Sequence, residues 1–368
     1  VRVDEGSSPA ASTLPSTGDS GSGQAVRSWR SPKVRLALVL ALSILVASVA
    51  DHAIAAWINL QKFSPTYRRI GPEERPQIFA AGSSLLQFGL QWPDVASFLG
   101  QGLENWGVPA SSPEMWERAQ PVAPETNLML IGVSVYDLNE YRVAEGRANL
   151  VPIVQTLRDL RESNSDWSLS QRLLSQYLLK YARLLFPTAA FTDKVHVGLR
   201  AKARVLLGRP AAKEDLENEL VLPSKPILQF GDSTLKVSDW DDARMLRRMA
   251  LLRLENEGRH AFDGPKRLAF RRMLTKAGMQ GGVIVVILPV TDAYAAEFLT
   301  PDVTREFEAA VADARRLVPD AIIVRLDREP GLSSNQYFSD LVHLNSAGRR
   351  IATDAFLRQL RDSAHHSQ

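Results

Sequence analysis

Ile78-Phe79-Ala80-Ala81-Gly82-Ser83-Ser84 is a short apolar run that breaks into Gly-Ser-Ser, the place where a strand would turn into a helix. The spacing predicts a strand over 77–81 and a helix-like segment over Leu85-Leu86-Gln87-Phe88-Gly89-Leu90. About 260 residues later comes Ser339-Asp340-Leu341-Val342-His343-Leu344-Asn345, an Asp and a His three apart just before a helix start. A serine at one end of a domain and Asp-x-x-His at the other is what an acyl-transfer site needs. Hydroxyl oxygen is a poor nucleophile at neutral pH, so an imidazole must take its proton and a carboxylate must hold that imidazole in the right tautomer.

Strands and helices alternate on either side of these two stretches. The segment 102–108 is apolar and ends in Gly107-Val108-Pro109-Ala110-Ser111-Ser112, and 127–132 is a continuous apolar run suited to a strand buried on both faces. Residues 266–277 are amphipathic, and Gly281-Gly282 leads into a strand over 283–289. A helix is expected over 305–317, a strand over 321–326 and a closing helix over 346–360. Such alternation, with strands too apolar to be half exposed, predicts a three-layer α/β/α domain on a parallel sheet, formed by 77–141 and 264–362. Between its halves, 142–263 reads as a mostly helical insertion. Leu169, Leu173, Leu174, Tyr177, Leu178, Tyr181, Leu184 and Leu185 recur at helical spacing, with Ser165 or Asp166 as the cap. A further helix is expected over 244–257. No internal repeat is visible.

Ahead of the domain, residues 1–33 are rich in Ser, Gly, Pro and Ala and predict a disordered tail. Arg27, Arg30, Lys33 and Arg35 flank an apolar run that reaches Leu60, interrupted by Asp51 and His52. This predicts a transmembrane helix over 34–60 with the tail in the cytoplasm, and Trp57 in or beyond the interfacial belt. A cleaved signal peptide is the competing reading, since Ser48-Val49-Ala50 and Ala53-Ile54-Ala55 both resemble cleavage sites. Either way the rest lies outside the cytoplasm, after a proline-bearing tether at 61–76. Hydrophobic content of 45% and charged content of 23% suit a globular protein. A net charge of +3 without an aromatic-basic stripe gives no reason to expect nucleic acid. The absence of cysteine excludes disulfides, thiolate metal sites and a cysteine nucleophile. No metal or cofactor motif is present. The acid-free stretch 194–213 reads as a solvated face or a contact for anionic head groups or glycan.

With these residues quoted, the chain resembles the SGNH hydrolase superfamily, also called GDSL-like, over 77–141 and 264–362, whose domain is flavodoxin-like. The family's first block is a strand followed by Gly-Asp-Ser. Gly82-Ser83-Ser84 stands there, in the Gly-Ser-Ser form of membrane-anchored acyl-transfer proteins of the D-alanylation and alginate O-acetylation types. The resemblance makes Ser84 the nucleophile, whose own N–H faces the oxyanion. Asn105-Trp106-Gly107-Val108-Pro109 matches the second block and implies Gly107 as an oxyanion donor. The third block is usually Gly-x-Asn-Asp. This chain has Gly132-Val133-Ser134-Val135-Tyr136-Asp137-Leu138-Asn139, which leaves Ser134 or Asn139 as the remaining donor. Asp340-x-x-His343 followed by Leu344-Asn345 and Gly348 matches the last block, with His343 as general base and Asp340 as its orienter. Taken singly, Gly-Ser-Ser also serves as a helix cap, Gly107 as a turn glycine, and Asp137 and Asn139 as turn caps.

The resemblance implies a single-pass inner-membrane protein whose catalytic domain faces the periplasm or the exterior. It would transfer acyl groups, commonly acetyl, to a cell-envelope or exported polysaccharide. Proteins of this layout work beside a membrane-bound O-acyltransferase that supplies the acyl group. An esterase or deacetylase, and a non-catalytic glycan-binding or assembly subunit, are the alternatives.

Overall fold

The computed structural model describes residues 31–57, 77–100, 102–120, 127–144, 147–163, 165–186 and 233–366. The tether expected at 61–76, residues 1–30 of the expected tail and the basic stretch 194–213 lie outside the described residues.

The domain is built on five parallel strands, β1 Ile78–Gly82, β2 Leu103–Gly107, β3 Leu128–Val133, β4 Gly282–Ile287 and β5 Ile322–Arg325, in the order β2-β1-β3-β4-β5. Their bounds fall within one or two residues of the apolar runs. Phe79, Ala80, Ala81, Leu130, Ile131, Val285, Val286 and Ile287 are fully buried, which is why these strands read as unbroken apolar runs.

Right-handed crossovers fix the helical layers. The chain steps from β1 outward to β2, then back across β1 to β3 and on to β4 and β5. The first connection therefore lies on one face and the later ones on the other. The first carries α2 Ser84–Gly89 and α3 Trp92–Leu99, and the others carry α4 Pro113–Ala119, α10 Pro265–Gln280 and α12 Pro301–Leu317. The packing agrees: α10 lies against α4 and α12, while the closing helix α13 Ser346–His366 lies against α2, α3 and β5.

The remaining α-helices among the described residues are α1 Pro32–Trp57, α5 Val135–Leu138, α6 Arg147–Leu150, α7 Ile153–Glu162, α8 Trp167–Leu185, α9 Asp242–Glu255 and α11 Asp292–Phe298. Asp166, not Ser165, caps α8, its Oδ1 accepting the Leu169 N–H at 2.8 Å. The described part of 142–263 is largely helical, but it is not a separate body. Val237, Met249 and Leu252 are buried in the same apolar cluster as the sheet. Helix α1 is long and apolar enough to cross a membrane, with a mean hydropathy of 2.1. It is described as far as Trp57, and 58–60 of the expected span lie outside the described residues.

Candidate functional site

In a sheet of this order, the crevice for a ligand opens at the carboxyl ends of β1 and β3, where the winding direction reverses. Gly82 ends β1 and Val133 ends β3, so Ser83-Ser84 and Ser134 follow directly at that crevice. Two glycines bring α2 close to the sheet. A Cβ on Gly82 or on Gly132 would lie 2.6 Å from atoms of Leu86, so both positions need the missing side chain for Leu86 to seat.

The two serines have distinct places. Ser83 is the N-cap of α2, is fully buried, and its Oγ accepts the Leu85 N–H at 3.1 Å. Ser84 is the first helical residue and its Oγ lies 2.8 Å from His343 Nε2. At this position in the helix its own N–H has no intrahelical acceptor and stays available to an anion.

His343 reaches Ser84 from a tight loop. Phe338 and Leu344 pair as an antiparallel bridge, and His343 O accepts from both the Ser339 N–H (2.8 Å) and the Ser339 Oγ (3.2 Å). Inside that loop Asp340 does two jobs. Its Oδ1 accepts the N–H groups of Val342 (2.9 Å) and His343 (2.7 Å), which folds the turn. Its Oδ2 lies 2.9 Å from His343 Nδ1. Burial alone would raise the Asp340 pKa. The His343 charge, the bond to its ring and the two backbone N–H groups outweigh that and hold the carboxyl well below the usual range. An ionised carboxylate only accepts, so Nδ1 carries the proton and the Nε2 lone pair faces the Ser84 hydroxyl. The spacing Asp-x-x-His thus has a physical reason: one carboxylate closes a turn and orients the ring at its end.

The residues after His343 support the loop. Asn345 Oδ1 accepts the N–H groups of Ala347 (3.1 Å) and Gly348 (3.0 Å), capping α13. A Cβ on Gly348 would stand 2.2 Å from Tyr337 O, so only glycine lets the helix start this close to the loop.

The oxyanion side departs from the expectation. The Gly107 N–H donates to Asn105 Oδ1 at 2.9 Å and so has an acceptor already. Ser134 is fully buried, and its hydroxyl donates to Asp137 Oδ2 at 2.9 Å while accepting the Asp137 N–H at 3.1 Å. Asn139 does not curl back. Its Nδ2 donates to Arg259 O at 3.0 Å, and its Oδ1 accepts from Tyr141 N (3.2 Å) and Ala261 N (3.3 Å). It ties the loop after β3 to the end of the insertion. Of the expected donors, only the Ser84 N–H is without a competing acceptor in its own helix.

Several supporting residues escaped the sequence reading. Thr291, after β4, gives both its N–H (3.2 Å) and its Oγ1 (3.0 Å) to Leu341 O. The stretch 233–237 lies against the histidine loop, through Val237 N to Phe338 O (2.9 Å) and Asn345 Nδ2 to Leu235 O (3.0 Å). Buried Lys266 donates to the carbonyls of Asp137 (3.1 Å), Asn139 (2.6 Å) and Arg142 (2.5 Å), holding the loop after β3 from below. Arg142, itself buried, lies 4.1 Å over the Tyr136 ring and 3.4 Å from Asp137 Oδ1. Only Thr291 leaves a local signal, as the capping residue of α11. Among the described residues, no group of three or more His, Asp or Glu is placed to hold a metal ion.

Chemically, the Ser84–His343–Asp340 chain can pass a proton from hydroxyl to imidazole while the carboxylate stabilises the imidazolium. His343 and Asp340 keep 13% and 19% of their side-chain surface, and Ser84 is buried. No family model, curated protein or solved structure matches the chain.

Proposed function

We propose that this chain is a membrane-anchored, extracytoplasmic serine acyltransferase of SGNH type that moves an acyl group, acetyl by preference, onto a cell-envelope or exported polysaccharide. The observation that carries the reading is the hydrogen-bonded chain from Ser84 through His343 to Asp340 at the switch point of a parallel sheet. Ser84 Oγ attacks the acyl carbonyl as its proton passes to His343 Nε2, and the leaving alcohol takes that proton away. A glycan hydroxyl then gives its proton to Nε2 as it attacks the acyl-serine, and Nε2 returns that proton to Ser84 Oγ as the acyl–Oγ bond breaks. The Ser84 N–H steadies the oxyanion. Gly107 joins it when Asn105 releases its N–H.

The anchor reading is supported by α1, and the polysaccharide acceptor and the membrane-bound O-acyltransferase partner rest on the resemblance to envelope acyl-transfer proteins. The test is product analysis with an acetyl donor and glycan acceptors. Acetylated glycan supports the transferase, and free acetate alone, with no acetylated glycan, overturns it in favour of an esterase.

A second reading has its own observation. Ser134, Asn139 and the Gly107 N–H are engaged elsewhere, as in a site retired from catalysis and kept for glycan binding or assembly. Undiminished polysaccharide acylation in cells carrying Ser84→Ala would favour that reading.

A further inference from the structure

We propose that the C-terminal half of α8 is sunk into the outer leaflet of the bilayer that α1 spans, so that the domain grips the membrane at two adjoining places. The proposal rests on α1 being a span and is independent of the acyl-transfer chemistry.

Helix α1 has a seam. Of its residues from Pro32 to Trp57, Ser48 and Ala55 are buried, Asp51 is half-buried, and all the others are exposed. Positions 48, 51 and 55 share one helix face. That face packs against α8. The seam therefore places the one serine of the span's second half and its one carboxylate toward protein, and leaves the remainder, apolar beyond Arg35 except for Ser43 and His52, to lipid. Small and polar residues on the protein-facing side are the usual arrangement within a bilayer.

At the seam the Ser48 hydroxyl donates to Leu185 O at 2.5 Å. Leu185 is the last residue of α8, and its carbonyl has no partner within the helix. In water such a carbonyl is solvated without help. In hydrocarbon it must be matched by a protein donor, and Ser48 supplies one from the middle of an apolar run.

Depth follows from helix geometry. Lys33 and Arg35 mark the cytoplasmic edge of the span. At about 1.5 Å per residue, Ser48 is roughly 20 Å beyond Arg35. In a hydrocarbon core of about 30 Å, that is roughly 10 Å below the outer surface. Leu185 shares that depth. With α8 taken to run along the membrane normal as α1 does, counting back along it at about 1.5 Å per residue meets the surface near Leu178.

From that residue the exposed side chains described in α8 are all apolar or aromatic; before it the helix exposes Gln171, and Trp167 in its first turn. Leu178, Leu179, Tyr181 and Leu185 are exposed by 71, 56, 49 and 49%. The one cation described in this half, Lys180, turns inward and donates to Ala148 O at 2.8 Å. This apolar face belongs to a helix that packs on α1, and lipid is its occupant.

The chain has no cysteine, so single-cysteine labelling needs no background substitutions. The full chain carrying Gln171→Cys, Leu178→Cys, Tyr181→Cys, Leu185→Cys or the in-span reference Leu40→Cys is labelled with a nitroxide. Each is reconstituted into phosphatidylcholine–phosphatidylglycerol vesicles with a water-soluble nickel chelate on both sides. The proposal expects the Gln171 label to be open to nickel, with loss of nickel access and gain of oxygen access from 178 to 185, approaching the Leu40 values. Labels at 178–185 as open as that at Gln171 overturn it. So does shielding that appears only in native membranes, which would mean that a protein covers the face. A Leu40 label open to nickel removes the span and the proposal with it.

Discussion

Replacing Asp340 by Asn isolates the orienting role of the carboxylate. Asp340 makes three hydrogen bonds, and an Asn carbonyl at Oδ1 can keep the two to Val342 N and His343 N. The turn therefore survives. The third changes sign. The Asn amide nitrogen now faces His343 Nδ1 at the place of Oδ2, 2.9 Å away, and it can only donate. His343 is driven to carry its proton on Nε2, pointing at Ser84 Oγ across 2.8 Å, and the serine loses its proton acceptor. Such a tautomer error costs about 10⁴ in kcat, as in the serine protease triad from which the figure comes. At about 1.36 kcal/mol per tenfold, that is roughly 5.5 kcal/mol of barrier. The loss of one charge-assisted bond removes only about 1.5–3 kcal/mol of stability. The assay is kcat on a chromogenic acetyl ester with the full chain in detergent, beside a melting curve. A folded Asp340→Asn protein within tenfold of wild type would refute the tautomer argument.

Four further outcomes follow from the same geometry. Ser83→Ala removes a cap and should lower stability by about 1 kcal/mol with ester turnover kept, read by denaturant melts beside kcat; lost turnover in a folded variant would move the nucleophile to Ser83. Asn105→Ala frees the Gly107 N–H, so kcat should rise with little change in KM, and an unchanged kcat would remove Gly107 from the site. Gly348→Ala drives a Cβ into Tyr337 O and should cost about 1–3 kcal/mol in a melt while displacing the His343 loop. Burial lowers the pKa of His260 to about 4, beneath its unfolded value, so the unfolded chain binds more protons and stability falls as pH drops from about 6.5 toward 4. At about 1.36 kcal/mol per unit the fall is at most about 3 kcal/mol, less for the partial exposure of the ring. Acid melts of His260→Gln should lack it, and an identical acid slope would contradict the assignment.

What was legible in the sequence is local. The strands at β1, β3 and β4 showed because burial on both faces writes a continuous apolar run, as in Val283-Ile284-Val285-Val286-Ile287. Ser84, Asp340 and His343 showed because each sits where a strand ends or a helix begins, with its spacing set by a single turn. Helix α12 was placed late, at 305, because its first turn is polar; Thr300 caps it and Pro301 opens it. On the oxyanion side Gly107 and Ser134 are engaged by their near neighbours Asn105 and Asp137, whereas the fate of Asn139 is decided by partners distant in sequence. Asn139 is claimed by Arg259 O, 120 residues away, and the loop it belongs to is held by Lys266. The same holds for 142–263. Helical periodicity showed α8 and α9 but not α6 and α7, and the entry of Met249 and Leu252 into the main core depends on packing that no local pattern records.

The central claim is that Ser84 is a nucleophile activated by His343. The full chain, its Ser84→Ala and Ser83→Ala variants and its His343→Ala variant would be incubated with a fluorophosphonate, which bonds irreversibly to activated serines. Mass spectrometry of the peptide containing Gly82-Ser83-Ser84 then locates the adduct. The account predicts a single adduct on Ser84, retained in Ser83→Ala and lost in Ser84→Ala and His343→Ala. An adduct on any other serine, or none on the folded wild-type chain, would contradict it.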